Sequence, residues 1–130
     1  MKQIQYSKEL LVDFEKLIRD FGIFMSLNLI HADQNLDPEC QTKMKELIRS
    51  SLDNNKILVD FFETPVLAHE EKNKEKLMKN LGRILNFLDN YLRYAEKILK
   101  KCRLDIYEGR FLQIRKHYIE FYAKYLQTSI

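Results

Sequence analysis

Arg110 and His117 are the residues of this chain best placed to do chemistry together. They stand seven apart, so on a helix they share one face, with Arg115 and Lys116 close by. An imidazole can take and return a proton near neutral pH, and a guanidinium can hold a phosphate oxygen. A second constellation is the basic cluster Arg93, Lys97, Lys100, Lys101 and Arg103. It could contact phosphates with no preference for sequence, or simply complement the negative end of a helix.

Other chemistries find little footing. Carboxylate-bridged metal sites in helical bundles use Glu-x-x-His pairs, and the residues three before His31, His69 and His117 are Asn28, Val66 and Ile114. No two histidines share a helix turn, and neither Cys40 nor Cys102 has a metal-ligand partner nearby, so no metal or cofactor is expected. Gly22, Gly82 and Gly109 are isolated, which rules out a glycine-rich phosphate cradle. No nucleophile elbow surrounds any serine or threonine. Glu70 and Glu71 open a run alternating with lysines, the pattern of a solvated face.

The elements that must position these residues are legible from apolar spacing. Leu77, Leu81, Ile84, Leu88, Tyr91, Ala95, Ile98 and Cys102 follow a 4-3-4-3 rhythm, with Met78, Leu85, Leu92 and Leu99 in a parallel row. This predicts one long, heptad-patterned helix packed against others. Tyr107, Phe111, Ile114, Tyr118, Phe121 and Tyr125 repeat the rhythm beside Leu112, Ile119 and Leu126. An earlier helix begins after Ser7 and buries Leu10, Phe14, Leu17, Phe21 and Met25, flanked by Leu11 and Ile18. It fades near His31, and a polar loop follows.

Asp37-Pro38-Glu39 starts the next helix, where Asp caps and Pro takes the first helical position. That helix carries Met44, Leu47, Ile48, Leu52, Leu58, Phe61 and Phe62, with a weak spot at Asn54-Asn55, and stops at Thr64-Pro65. The long helix starts at Pro65 or after the charged run His69–Lys76, and if unbroken from Pro65 it would overhang the bundle, unless it kinks near Asn73. Asp105 with Glu108 forms a capping box opening the last helix. The expected fold is an all-α, up-down bundle of four main helices in a single domain over residues 1–130.

Composition agrees: three glycines and two prolines are too few for a sheet protein. The run Phe21–Ile30 is interrupted by Ser26 and Asn28 and is too short to span a bilayer. The start Met1-Lys2-Gln3-Ile4-Gln5 has no apolar signal segment, so an intracellular protein with reduced cysteines is expected. Residues 1–65 hold 8 basic against 11 acidic side chains and residues 66–130 hold 14 against 8, so the halves carry −3 and +6. The basic half can meet an acidic partner or nucleic acid, or neutralise the acidic half of its own fold.

Two resemblances add to this reading. Arg110 and His117 are loosely similar to the Arg-x(4–6)-His motif of HEPN-type ribonucleases, which are also helical bundles, although Phe111 stands where those enzymes have a polar residue. The stretch Arg83-Ile84-x-x-x-Leu88-x-x-Tyr91-Leu92-Arg93 resembles a helix of GINS subunits of the Sld-five type. Weaker similarity lies at Glu9-Leu10-Leu11 with Glu15, and at Leu104, Glu108, Phe111 and Tyr125-Leu126. The family's second arginine falls on Ala95, its Lys-Ile pair is shifted onto Lys97-Ile98, and no counterpart of its small β-domain is seen.

The GINS resemblance implies a subunit of a heterotetramer joined to the replicative helicase, nuclear and without an active site; outside it, a cytoplasmic place is expected. Arg83, Tyr91 and Arg93 would then be packing contacts, between subunits or within the chain. Tyr94 and Tyr122 lie off the core seam and are the better candidates for a partner surface. The leading expectation is a non-enzymatic assembly subunit whose partners are other helical proteins. The alternatives are a metal-independent ribonuclease using Arg110 and His117, or a small basic nucleic-acid-binding bundle.

Overall fold

The first two helices start where the sequence places caps. The structure is a computed structural model that describes residues 4–30, 37–102 and 105–126, with the backbone alone for 27–30 and 105–108. Helix α1 spans Lys8–Ile30, and the Ser7 hydroxyl accepts from the Leu10 N–H at 3.0 Å. Helix α2 spans Pro38–Val59, and the Asp37 carboxylate accepts from the Cys40 N–H at 2.8 Å. After a 3-10 turn at Leu67–His69 come α3, Glu70–Cys102, and α4, Asp105–Tyr125. The side chains of the expected box Asp105–Glu108, like His31 and Leu104, lie outside the described residues.

The cross-helix pairs fix the topology. Ser51 meets Tyr91, Glu46 meets Tyr94 and Cys40 meets Cys102, so α2 and α3 run in opposite senses. Phe121 packs on Phe14 and His117 bonds Asp20, so α4 runs against α1. The result is the expected all-α, up-down four-helix bundle, and no strand occurs among the described residues. One cluster of buried side chains draws on all four helices. At its lower end Phe14 is fully buried, with its ring 5.9 Å from Phe61, 6.0 Å from Phe62 and 5.6 Å from Phe121.

Helix α3 starts at Glu70, inside the charged run and neither at Pro65 nor after Lys76. From there it is continuous and, shorter than a helix from Pro65, is covered along its length. Its 33 residues cover about 50 Å, and buried side chains run from Asn73 in the first turn to Leu99 near the last. Asn73 causes no kink. Its side chain turns off the helix and clamps the preceding loop, accepting from the Glu63 N–H and donating to the Glu63 and Val66 carbonyls, each at 2.9 Å. The loop is thereby drawn over the start of α3.

Several local expectations are corrected. Helix α2 ends at Val59, before Thr64-Pro65, and runs unbroken through Asn54-Asn55. Phe61 and Phe62 have left the helix in order to reach Phe14. Leu52 is 53% exposed, and Ser51 is buried in its stead. The reason is chemical: the phenol of Tyr91 is buried against α2 and needs a polar partner, which the Ser51 hydroxyl supplies. Of the parallel rows, Leu85, Leu92 and Leu99 are buried, whereas Met78, Leu112 and Ile119 are exposed. The buried stripe on α4 is therefore narrower than the rhythm suggests.

The cysteines are also corrected: Cys40 and Cys102 are joined in a disulfide, with Cα atoms 5.7 Å apart. The first turn of α2 and the last turn of α3 meet at one end of the bundle, a proximity that spacing along the chain does not reveal. A persistent disulfide belongs to an oxidising setting, so cysteine usage lends no weight to an intracellular location.

Two stability outcomes follow. Replacing Asn73 by Ala strands the Glu63 N–H and two carbonyls and should lower stability by about 2 kcal/mol in denaturant titrations. Closing a loop of sequence separation 62 restricts the unfolded chain, so Cys40→Ser should lose up to about 4 kcal/mol relative to the oxidised chain. Equal midpoints with and without reductant would contradict the cross-link.

Candidate functional site

The best-defined polar constellation lies in the seam between α1 and α4. On α4, Phe111, Ile114, Tyr118 and Phe121 are buried, which fixes the rotation of the helix. That rotation turns Arg110, Gln113 and His117 toward α1. From α1, Asp20 comes forward because Leu17, Phe21 and Phe24 are held in the core on either side of it. The His117 Nδ1 lies 2.8 Å from the Asp20 carboxylate, while Arg110 is exposed at the mouth of the same recess.

This recess, of about 120 Å³, is floored by Phe24 and Ile114. A second, of about 210 Å³, lies on the other side of His117 and is lined by Asp13, Lys16, Glu120 and Lys124. The carboxylate orients the imidazole through Nδ1 and leaves Nε2 for another partner, the arrangement by which a histidine is held for proton transfer. Sequence reasoning found Arg110 and His117 but missed Asp20, which lies 97 residues away from His117. Arg115 and Lys116 do not join them. Arg115 pairs with Glu96 of α3 at 3.2 Å and Lys116 with Glu120 at 3.9 Å.

Further along the seam, Asp13 accepts from Tyr125 and from Lys124, and Lys124 also reaches Glu9. Burial pushes the Asp13 carboxyl up, but the hydrogen bonds from Tyr125 and Lys124 and the charges of Lys124 and Lys16 prevail and hold it below its ordinary value. Burial, then the bond to Asp13, pushes the Tyr125 phenol up to about 12. Burial does the same to Tyr118, at about 12, whose hydroxyl donates to the Leu85 carbonyl at 3.1 Å.

The proposed partner surface is dispersed. Tyr91 is buried, edge-on to Phe24 at 6.4 Å and bonded to Ser51, so these contacts are of the intramolecular kind, one of the two roles the resemblance allows it. Tyr94 is half-buried and donates to Glu46 of α2 at 3.3 Å. Tyr122 is exposed, beside Ile119 on the outside of α4. Arg83 is exposed, and Arg93 is exposed but paired with Asp89 at 3.0 Å.

Of the expected phosphate contacts, Lys97 and Lys100 face outward. Lys101 is engaged by Glu39 of α2, and Arg103 lies outside the described residues. No group of three or more histidine, cysteine or acidic side chains is arranged to hold a metal among the described residues. No helix is long and apolar enough to cross a membrane among them.

A surface that sequence reading did not single out is the groove between α1 and α2, about 460 Å³ in volume. Ile18, Ile23, Leu58, Val59 and Phe62 line it, with Ile23 52% and Val59 68% exposed. Gly22 lies between the helices, where a Cβ would stand 3.1 Å from the Asn55 Oδ1. That oxygen is buried without a hydrogen-bond partner among the described residues, while the Asn55 amide nitrogen donates to Ser26 at 3.2 Å. Glu15 and Arg19, 3.5 Å apart, form a charged rim. The signal was present in Ile23, Ile57 and Val59, which fall off the predicted core rows.

Comparison of the chain with protein-family models, with curated proteins and with solved structures finds no match to any of them.

The seam should respond to pH at both extremes. A depressed Asp13 contributes stability that is present above about pH 4 and lost as pH falls through its lowered value. A raised Tyr125 contributes stability that is whole below about pH 10 and lost as pH rises toward 12. Thermal melts across pH should show both flanks, and Tyr125→Phe should weaken both. An ultraviolet tyrosinate titration in which every phenol ionised near pH 10 would contradict the arrangement.

Proposed function

We propose that this chain is a non-enzymatic subunit of a helical protein assembly, with α1 and α2 receiving an amphipathic helix from another subunit. The observation that carries this reading is the open apolar groove. Ile23 and Val59 leave large side chains in water on either side of a trough floored by Leu58 and Phe62. Leu52 and Ile57 extend the apolar surface along α2. A helix laid in such a trough reads its two walls at intervals of three and four residues, and the Glu15–Arg19 pair gives the polar rim such interfaces have. The likeness to GINS subunits points the same way. Under it the assembly belongs to the replication machinery and the chain works in the nucleus, with exposed Arg83 and Arg93 as further contacts.

A second reading is favoured by one specific observation. Asp20, His117 and Arg110 share a recess, with the imidazole oriented through Nδ1. As a HEPN-like ribonuclease the chain would use the His117 Nε2 for proton transfer and Arg110 for the phosphate.

One set of variants separates the two. Tagged in its own cells and purified gently, the chain should come with other helical subunits and helicase components in fixed ratio. Ile23→Asp with Val59→Asp should release those partners while leaving the circular dichroism unchanged, because both side chains are on the surface. His117→Ala should retain them. Recovery of the chain alone, with RNA cleavage abolished by His117→Ala or Asp20→Asn, would replace the assembly reading with the second.

A further inference from the structure

The face of α3 turned away from the core carries a charge pattern that extends well beyond the basic end seen in the sequence. We propose that this face is a docking track for the phosphate backbone of double-stranded nucleic acid. Steps of three and four residues along a helix keep to one side of it. On that side Lys72, Lys79, Arg83, Lys97 and Lys100 are all exposed and form no ion pair among the described residues. Lys76 and Arg93 complete the line, each sharing its charge with one carboxylate, Glu63 at 3.8 Å and Asp89 at 3.0 Å. Asn86 and Asn90, both exposed, fill the interval between Arg83 and Arg93, and their amides donate to phosphate oxygens without adding charge.

The acidic residues of α3 scarcely interrupt this line. Glu70 is held by Tyr6 and faces Lys8, Asp89 by Arg93, and Glu96 by Arg115. Glu71 acts on the Tyr6 side, which leaves Glu75 as the carboxylate beside the track. Lys101 is excluded by its bond to Glu39.

Shape and composition identify the occupant. From Lys72 to Lys100 the track is about 42 Å long at 1.5 Å per residue, which matches about 12 base pairs at 3.4 Å each. Protein partners are anchored by buried aromatic or apolar side chains, and the track has none at its centre. Phe87 and Tyr94 sit at its edge, packed against the core. Single strands are held by aromatic platforms on which bases stack, and those too are absent from this line. A straight, convex row of cations and amides suits the regular phosphates of a duplex and reads no sequence. The track lies on a different helix from the α1–α2 groove and shares only Arg83 and Arg93 with the assembly reading, and the test rests on Lys79 and Lys97, which that reading does not use.

The test is fluorescence anisotropy of the whole chain with mixed-sequence 20-base-pair DNA, the corresponding single strand, and polyglutamate. Duplex binding should weaken about 100-fold between 50 and 200 mM salt, the response to about four phosphate contacts. Lys79→Glu with Lys97→Glu should reduce affinity at least 30-fold and flatten the salt slope by about two. The control Lys45→Glu, exposed on α2, should change neither. Wild-type circular dichroism of each variant excludes misfolding. Equal losses from track and control variants, or a flat salt response, would overturn the proposal. So would polyglutamate binding as tight as duplex binding, which would make the face a dock for acidic protein instead.

Discussion

A helix of 33 residues with an apolar stripe along its whole length must be covered over about 50 Å, and the other helices have only 21 to 23 residues each. That mismatch governs how the rest of the chain is used. Helix α2 slides toward the C-terminal end of α3, where its first turn lies beside Cys102. The opposite end of α3 is then left to the connection after Val59, to Tyr6 and to the start of α1. Phe61 and Phe62 fill that space around Phe14, and the Asn73 amide holds the connection against the helix with three hydrogen bonds.

Few polar groups are buried among the described residues, and those that bond across two helices fix an alignment that apolar packing alone would leave degenerate. Leucines can slip past one another by a turn at small cost, but Tyr91 meets Ser51 in only one register of α2 on α3. Tyr118 sets α4 against α3 in the same way, through the Leu85 carbonyl. On the outer seam, Asp20 with His117 and Asp13 with Tyr125 set α4 against α1. Buried polar contacts thus choose the register, and apolar burial supplies most of the driving force.

Helix identity and the core rows of α1 and α3 were readable in the sequence, because spacing of three and four residues reports directly on which side of a helix is dry. The caps at Ser7 and Asp37 were readable too, since capping is decided within four residues. What could not be read depends on residues brought together across long separations. Asp20 becomes part of the His117 site only once α1 and α4 are packed. Ser51 replaces Leu52 in the core only because a phenol arrives from α3, and Cys40 finds Cys102 only through the offset of α2. The rows on α4 overstated its buried face for a related reason: periodicity shows which residues share a side, whereas the width of the dry side is set by how many neighbours there are.

The bond between Cys40 and Cys102 also changes what the chain is as a connected object. Following covalent links alone, the shortest path from α1 to α4 steps across the disulfide and leaves out all but the first turn of α2, the aromatic connection and nearly all of α3. Those segments form a closed ring, and the terminal helices hang from it as two short arms that clasp one another through Asp13, Lys124 and Tyr125. Tension applied through the two ends would be borne by the clasp and the cross-link, and the ring would carry almost none of it. The outward face of α3 and most of the α2 wall of the groove belong to the sheltered part. The His117 recess, by contrast, lies between the two loaded arms, so a pull on the ends acts on that site first.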